Sequence, residues 1–384
     1  MAIQVLQQPP QIAFAGDPIV VKAKTTLSGK TFLRIKITVN STAFAGSEEF
    51  PYSESYSFEV GSDGIAVFNI GETIKTTLSR KMTFDVNGTQ TLSQMIYAAR
   101  YTITYKESYI DGMVEIEEGE TTSEQYNAIP GRLTEFERLT TSNVDTTEIL
   151  GEGRILSRKP EGDIVPLGWI LCIPAVSTRS DTITYSVVQG EESKEYSEYT
   201  RGALVPDSLQ IITSSLKEGE LTVNTGFETG KKRYAVKTNP LMRHFIFLNG
   251  FGLMESVVAF TRDSLEYDIQ SELYTLPADI SYRATTRTAS YAQTPSGTFS
   301  MSSGFVNREW AEWWLTEFVV TRKAWMYDNG TYIPVAIIPE ETNELYDRAK
   351  PGMMSVNFSV RYGFSGSTLN SFVQRKESFS VFLL

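Results

Sequence analysis

Apolar and polar residues alternate along much of this chain, and this period of two limits its fold more than any other feature. The segment 31–39 shows it most clearly, because Leu33, Ile35 and Ile37 fall on one side of an extended chain and mostly polar residues on the other. Such alternation is typical of a half-buried antiparallel strand. Similar runs recur about every 8–12 residues with Gly, Asn and Asp turn residues between them, which predicts a mostly-β protein of antiparallel β-sandwich domains.

The length of the chain bounds the number of domains. Its 384 residues are enough for two or three domains of roughly 100–150 residues each. We predict an N-terminal β-sandwich domain over residues 1–128, a middle β domain over residues 129–239, and a C-terminal β domain over residues 240–384 that carries a short Trp-rich helix. No internal repeat is evident from the residues themselves.

The best helix candidate is the segment NREWAEWWLTEF, residues 307–318. Asn307 is a suitable N-cap, and acidic residues stand in the first turns, where the helix dipole favours them. Trp310, Trp313 and Trp314 have the spacing of a single helical face. The sequence therefore predicts a short amphipathic helix inside an otherwise β-rich domain.

Four of the five tryptophans of the chain lie in or just after this helix, and they allow three interpretations. The favoured one is that the helix packs onto the sheet of its own domain, with the aromatic rings in the core. The second is an interface anchor, since Trp is enriched at binding hot spots. The third is a platform on which sugars stack. The candidate residues are Trp310, Trp313, Trp314 and Trp325.

Three shorter segments carry local predictions. Residues 91–99 (TLSQMIYAA) predict a second short helix with Thr91 at its cap. Residues 61–64 (GSDG) predict a hairpin-type turn between two neighbouring strands. The acidic run at residues 191–198 predicts a solvated loop or hairpin tip.

The charge of the chain argues against nucleic-acid and membrane partners. The net charge is −11 and the pI is about 4.9, whereas phosphate contact needs clustered Lys and Arg. No apolar run approaches the roughly 18 residues that span a bilayer. The N-terminus, MAIQVLQQPPQIAFAGD, has no basic region followed by an apolar run, so no secretion signal is predicted and synthesis in the cytoplasm is expected.

The inventory of reactive side chains is small. Cys172 and His244 are the only residues of their types, so a disulfide within the chain and a tetrahedral Cys/His zinc site are both excluded. Cys172 lies in an apolar run and is expected to be a small core residue. We predict no catalytic residue, no metal and no cofactor, and we expect that substitution of His244 or Cys172 removes no activity. A pair of glycosidase carboxylates stays open, because no motif marks such a pair.

Three segments carry a resemblance to a known group of proteins. They are AGDPIVVKAKTTLSGKTFLRIKITV (15–39), FIFLNGFGLMES (245–256) and DNGTYIPVAIIPEETNELYDRAKPGMMSVNFSVRYGF (328–364). The chain resembles virion proteins of phages and prophages that infect Bacteroidetes, crAss-like phages among them. The resemblance runs along most of the chain and rests on strand and turn phrases rather than on a catalytic signature.

This resemblance implies tandem Ig-like β-sandwich domains in a neck, ring, tail or baseplate component of a virion that is assembled in the host cytoplasm. The implied partners are copies of the chain itself, closing into a ring or tube, and other virion proteins. Two alternatives stay open: a tail-tip module that binds a carbohydrate or receptor, and a glycosidase on a β scaffold.

The apolar C-terminal segment is the second candidate interface. Its side chains would form a hydrophobic patch prone to association if they were exposed, so we expect them to contact a partner in an assembly. The residues are Phe379, Phe382, Leu383 and Leu384.

Overall fold

The computed structural model describes residues 3–45, 48–79, 92–93, 98–140, 155–177, 182–199, 205–213, 216–225, 230–238, 241–275, 288–328, 331–340 and 354–362. These residues are mostly in strands, with three short α-helices, and the prediction of a mostly-β fold is confirmed. The chain divides into two compact units. Unit 1 comprises Met1–Lys237 and Leu248–Ser256, and unit 2 comprises Thr238–Phe247 and Val257–Leu384.

The first part of unit 1 holds ten strands and two helices among the described residues. The strands are β1 (Gln4–Gln7), β2 (Ile12–Phe14), β3 (Val20–Lys24), β4 (Arg34–Ala45), β5 (Glu48–Glu59), β6 (Ile65–Asn69), β7 (Leu92–Ser93), β8 (Ala98–Asp111), β9 (Val114–Thr122) and β10 (Tyr126–Ile129). The helices are α1 (Gly71–Ser79) and α2 (Glu135–Thr140).

Nine of these strands, all except β7, form a sandwich of two sheets with the strand order of an Ig-like domain. One sheet has the order β1-β3-β6 and the other the order β2-β10-β8-β4-β5, with β9 paired to β8. These orders correspond to strands A, B, E and to strands G, F, C, C′ of the immunoglobulin fold. The first strand is split between the sheets at Pro9-Pro10, where two residues without an N–H interrupt the ladder. Its second half, β2, pairs in parallel with the last strand, β10.

One hydrophobic core fills this first sandwich. Val21 and Ala23 from one sheet pack with Ile35, Ile37 and Tyr101 from the other, and all are fully or almost fully buried. The alternation that the sequence shows over residues 31–39 is therefore the inward face of β4. No disulfide joins the sheets, so apolar burial must supply the stability that antibody domains gain in part from their B–F bridge.

The rest of unit 1 holds a second sandwich. Its strands are β11 (Asp163–Pro166), β12 (Ile170–Ser177), β13 (Thr182–Gln189), β14 (Glu192–Tyr199), β15 (Val205–Ile212), β16 (Gly219–Asn224) and β17 (Lys231–Lys237). They form a sheet of order β11-β17-β16-β13-β14 and a sheet of order β12-β15-β7. Leu171, Ile173 and Ile211 from the smaller sheet share a core with Tyr185 and Leu221 from the larger one.

The second sandwich repeats the topology of the first. Its strand before β12 is also split: Ile155 forms an isolated antiparallel bridge with Ala175 on β12, and β11 then pairs in parallel with the last strand, β17. Pro160 lies in the crossing between the two halves. The chain thus contains a structural repeat that its residues do not reveal. The tandem Ig-like sandwiches expected from the sequence are present in unit 1.

Unit 2 is a closed barrel rather than a third sandwich. Its strands are β18 (Met242–Leu248), β19 (Met254–Thr275), β20 (Thr288–Ser302), β21 (Ala324–Asp328), β22 (Thr331–Pro339) and β23 (Asn357–Tyr362), joined in the order β18-β19-β20-β23-β22-β21. Helix α3 (Arg308–Trp313) and a π-helical turn (Trp314–Phe318) lie between β20 and β21. A closed barrel leaves no open sheet edge within the ring, whereas a sandwich does.

Three local predictions need correction. Residues 61–64 do not close a hairpin, because β5 pairs with β4 and β6 pairs with β3, so this turn carries the chain from one sheet to the other. In the acidic run at 191–198 only Glu191 lies in the turn; the residues from Glu192 onward are strand β14, not a loop, and they pair with β13. Of the helix predicted at 91–99, Leu92–Ser93 and the last two residues are in strands, and the remainder lies outside the described residues.

Two backbone segments of unit 1 approach so closely that only glycine fits between them. A β-carbon on Gly131 would lie 2.2 Å from the carbonyl carbon of Phe251, and one on Gly252 would lie 2.4 Å from Cβ of Pro130. Arg132 also donates its backbone N–H to the carbonyl of Gly250. Both glycines have positive φ angles, at 93° and 74°.

We expect Gly131→Ala to destabilise the protein by about 1–3 kcal/mol more than the matched control Gly190→Ala. Both glycines have positive φ, so both variants carry the cost of a left-handed alanine, on the order of 1–2 kcal/mol. Only at Gly131 does the added methyl group also collide with backbone, since nothing lies within 4 Å at Gly190. Chemical denaturation of both variants measures the difference, and equal losses would contradict the close approach.

Candidate functional site

The predicted Trp-rich helix is present and begins where the sequence places it. Asn307 is the N-cap, and its side-chain oxygen accepts the backbone N–H of Trp310 at 2.9 Å. After Trp313 the helix widens into the π-helical turn, which ends with a bond from the N–H of Val319 to the carbonyl of Trp314. Trp314 and Phe318 lie in this turn and pack against each other in the barrel core.

The four tryptophans differ in exposure. Trp313 and Trp314 are 4 % and 2 % exposed and pack against aromatic rings of the barrel, including Phe247 and Phe358. Their burial favours the interpretation of a helix packed onto its own domain over an interface anchor or a sugar platform. Trp310 and Trp325 are only half-buried, so they retain surface that a partner could contact.

The other half of the predicted interface lies outside the described residues. Phe379, Phe382, Leu383 and Leu384 all fall in the C-terminal segment 363–384. Their contact with a partner stays a prediction.

His244 and Cys172 both lie in the interior of their units. His244 is 1 % exposed, and its Nδ1 is 2.8 Å from the hydroxyl of Tyr332 on β22. Cys172, on β12, is 2 % exposed, and burial raises the pKa of its thiol well above the usual value, so the thiolate is disfavoured. Its backbone N–H donates to Oγ of Ser256 at 3.1 Å.

Unit 1 contains a set of buried charged side chains that the sequence analysis missed, and we call it the charge cluster. It consists of Lys159, Asp163, Lys232 and Glu255, each with its side chain no more than 6 % exposed. Nζ of Lys159 is 2.7 Å from Oδ2 of Asp163, and Glu255 Oε1 lies 4.0 Å from each lysine Nζ. Two positive and two negative groups therefore share one buried site.

The second sandwich and the segment Leu248–Ser256 of unit 1 bring these charges together. Lys159 lies in the crossing between the halves of the split first strand, and Asp163 begins β11. Lys232 is on β17, the strand that pairs with β11, and Glu255 belongs to the segment Leu248–Ser256 of unit 1. The sequence shows only the i, i+4 spacing of Lys159 and Asp163. Outside a helix, a single pair with this spacing does not predict that the two side chains meet.

Hydrogen bonds satisfy much of the cluster. Lys232 Nζ donates to Oγ of Ser157 at 2.8 Å and to the carbonyl of Lys159 at 3.0 Å. Ser157 Oγ in turn donates to Glu255, while Asn249 Nδ2 donates to Oε2 of Glu255 at 3.1 Å. A buried charge is tolerated only with such partners.

Burial shifts the pKa values of two members of the cluster, Asp163 and Lys232. Loss of water raises the pKa of Asp163, against the opposing effect of the Lys159 ammonium. Loss of water also lowers the pKa of Lys232, against the attraction of Glu255. Both shifts favour the uncharged forms of these two side chains inside the protein.

A third feature is an exposed apolar tip at one end of the first sandwich. Met113 and Val114, at the β8–β9 turn, are 102 % and 64 % exposed, and Phe32 is 59 % exposed. The loop that carries Phe32 lies beside this hairpin, because Ile110 donates its N–H to the carbonyl of Thr31. Phe32 is also the only described non-glycine residue with positive φ, at 54°. Strain at an exposed aromatic residue is a feature of interaction sites.

Comparisons with known proteins give limited similarity. No family model and no curated protein matches the chain. A crystal structure of the ICAM-5 D1–D4 ectodomain fragment aligns with 86 % of this chain and 73 % of its own, at 10 % identity and a TM-score of 0.21. A marsupial T cell receptor aligns with 78 % of this chain and 96 % of its own, at 11 % identity and a TM-score of 0.16.

The described part of the chain has no membrane-spanning helix and no cluster of metal ligands. None of its helices is long and apolar enough to cross a membrane. No group of three or more His, Cys, Asp or Glu side chains within it is placed to hold a metal ion.

We expect His244→Gln and Tyr332→Phe each to destabilise the protein by about 1–3 kcal/mol, because each disrupts a buried hydrogen bond. The double variant should cost less than the sum of the two, since the residues contact each other. Chemical denaturation of the four proteins gives the coupling free energy. Strict additivity would show that the contact contributes nothing.

We expect Cys172→Ser to cost about 1–3 kcal/mol of unfolding free energy, because it buries a hydroxyl, which needs a hydrogen-bond partner more than a thiol does, at a position that is 2 % exposed. Cys172→Ala is the matched control, since it removes the sulfur without adding a polar group. The serine variant should be the less stable of the two in thermal and chemical melts. A serine variant as stable as wild type would contradict this account of the site.

Proposed function

We propose that this chain is a structural subunit of a phage virion, part of a neck, ring or tail assembly, and that it works through contacts with copies of itself and with other virion proteins. The tandem sandwiches support the proposal because sheets with paired backbone groups and filled cores make stiff building blocks. The observation that carries it is a long β-ribbon that extends from the barrel of unit 2.

The ribbon is formed by β19 and β20. Strand β19 has 22 residues and β20 has 15, whereas their barrel neighbours β18 and β23 have seven and six. Pairing of β20 with β23 covers only Thr298–Ser302, but pairing of β19 with β20 continues to Thr275 and Thr288. Most of the ribbon therefore lies beyond the ring of the barrel, as a two-stranded extension.

Such a ribbon suits assembly better than catalysis. A two-stranded ribbon is at best marginally stable in water by itself. Among the described strands, no other strand pairs with the part of this ribbon beyond the barrel, so its edge N–H and C=O groups can pair with a strand from another chain. Addition of a strand to an exposed edge is a common mode of protein recognition. The exposed apolar tip of the first sandwich would provide a second contact surface in the same assembly.

The test is to shorten the ribbon and measure self-association. Residues 268–296 are replaced by Asn-Gly, so that Tyr267 and Gly297, which face each other in the ladder, are joined by a two-residue turn. The matched control shortens the β13–β14 hairpin by deleting the facing pair Gln189 and Glu192.

We expect wild type and the control to form a closed oligomer in sedimentation experiments and negative-stain electron microscopy. The ribbon variant should remain monomeric with unchanged tryptophan bands in its near-UV spectrum, because the replaced segment contains no Trp. The reason is that the ribbon contributes contacts between subunits rather than to the barrel core. A wild-type protein that stays monomeric at every concentration, or a ribbon variant that assembles normally, would refute the proposal.

A further inference from the structure

The charge cluster contains a contact that can become covalent. Nζ of Lys159 lies 2.7 Å from Oδ2 of Asp163, and Oδ2 is bonded directly to the carboxyl carbon Cγ. The side chains are 1 % and 6 % exposed, so little water competes for either group. An amine held against a carboxyl group in a dry site has the proximity that converts a slow bimolecular condensation into an intramolecular one.

We propose that Lys159 and Asp163 are joined by an amide bond between Nζ and Cγ, formed within the folded protein, with Glu255 as the carrier of the proton. This inference concerns unit 1 alone and is independent of the proposed function.

The atoms balance without any outside reagent. The Lys159 ammonium first passes one proton to the Asp163 carboxylate, which leaves a neutral amine and a neutral acid. The amine nitrogen attacks Cγ, Glu255 accepts a second proton from Nζ, and it returns that proton to the departing hydroxyl group of Asp163. One C–N bond forms, one C–O bond breaks, and one water molecule leaves. Glu255 ends in its starting state.

The surroundings fit each step. Oε1 of Glu255 is 4.0 Å from Nζ of Lys159, and bonds from Ser157 and Asn249 hold its carboxylate in place. Nζ of Lys159 also donates to the carbonyl of Ser256, which orients the nitrogen. Burial raises the pKa of Asp163, which favours the protonated acid that the attack requires.

The energetics also favour the bond. A buried ion pair is often no more stable than an apolar replacement, because two charges must be removed from water. The amide removes both charges and keeps a polar N–H and C=O for the remaining partners. Lys232 and Glu255 then remain as the only two charges of the cluster, with opposite signs.

The first measurement is the intact mass of the purified full-length protein. We expect a mass lower than that of the sequence by one water molecule. Trypsin should release the peptide that runs from Lys159 to Arg179, because the Lys159–Pro160 bond resists cleavage. Fragmentation of this peptide should give no ions from breaks between Lys159 and Asp163, since the new bond closes a ring there. A full sequence mass for wild type would overturn the proposal, whatever the variants do.

Variants distinguish the Lys159–Asp163 amide bond from other reactions that also release one water molecule. A cyclic imide at Asp163 has the same mass change, but it would survive in Lys159→Arg, whereas the amide would not. Persistence of the loss in Lys159→Arg therefore overturns the proposal. In Glu255→Gln, most of the protein molecules should keep the full sequence mass. If the variant loses water to the same extent as wild type, the role of Glu255 is overturned. The matched control is the surface pair Lys217–Glu192, with a 2.9 Å contact but side chains 79 % exposed, which should show no bond.

Discussion

The parallel pairing of the first strand with the last is the constraint on which unit 1 depends. In each sandwich the chain starts against strand B, crosses to the other sheet at a proline, and then pairs beside strand G. This crossing connects the start of each domain to its end and contributes to both sheets. It also brings irregular backbone into a region where polar groups have few partners, so the crossing must be satisfied by side chains or by other segments.

The two sandwiches solve that problem differently. In the first, the strand after the crossing, β2, pairs with β10, and its Phe14 packs against Phe251 in the turn at Gly250–Gly252. In the second, the crossing carries the charge cluster, where lysine and carboxylate groups take the place of apolar packing. Such a cluster contributes little net stability compared with a hydrophobic core, but it tolerates only one arrangement of its elements. It can therefore fix the register of β11 against β17.

The sequence was most informative where one local signal decided the structure. Period-two alternation located β4, an Asn before an apolar helical face located α3, and the lone Cys172 was correctly placed in the core. It was least informative about which strands pair. The turn at residues 61–64 looks like a hairpin because turn chemistry is the same whether the chain stays in one sheet or changes sheets. The charge cluster was invisible because its members come together only through the parallel pairing and the segment Leu248–Ser256.

The smallest strand of unit 1 limits how modular the chain is. Strand β7 belongs by position to the first sandwich, yet Leu92 and Ser93 pair with Leu209 and Ser208 on β15, at the edge of the second. The two sandwiches resemble independent domains, but the first contributes strand β7 to a sheet of the second. A fragment cut between them would leave β15 with an uncovered edge, and such edges are where foreign strands add and aggregation begins. The smaller sheet of the second sandwich is therefore completed by a strand from the first.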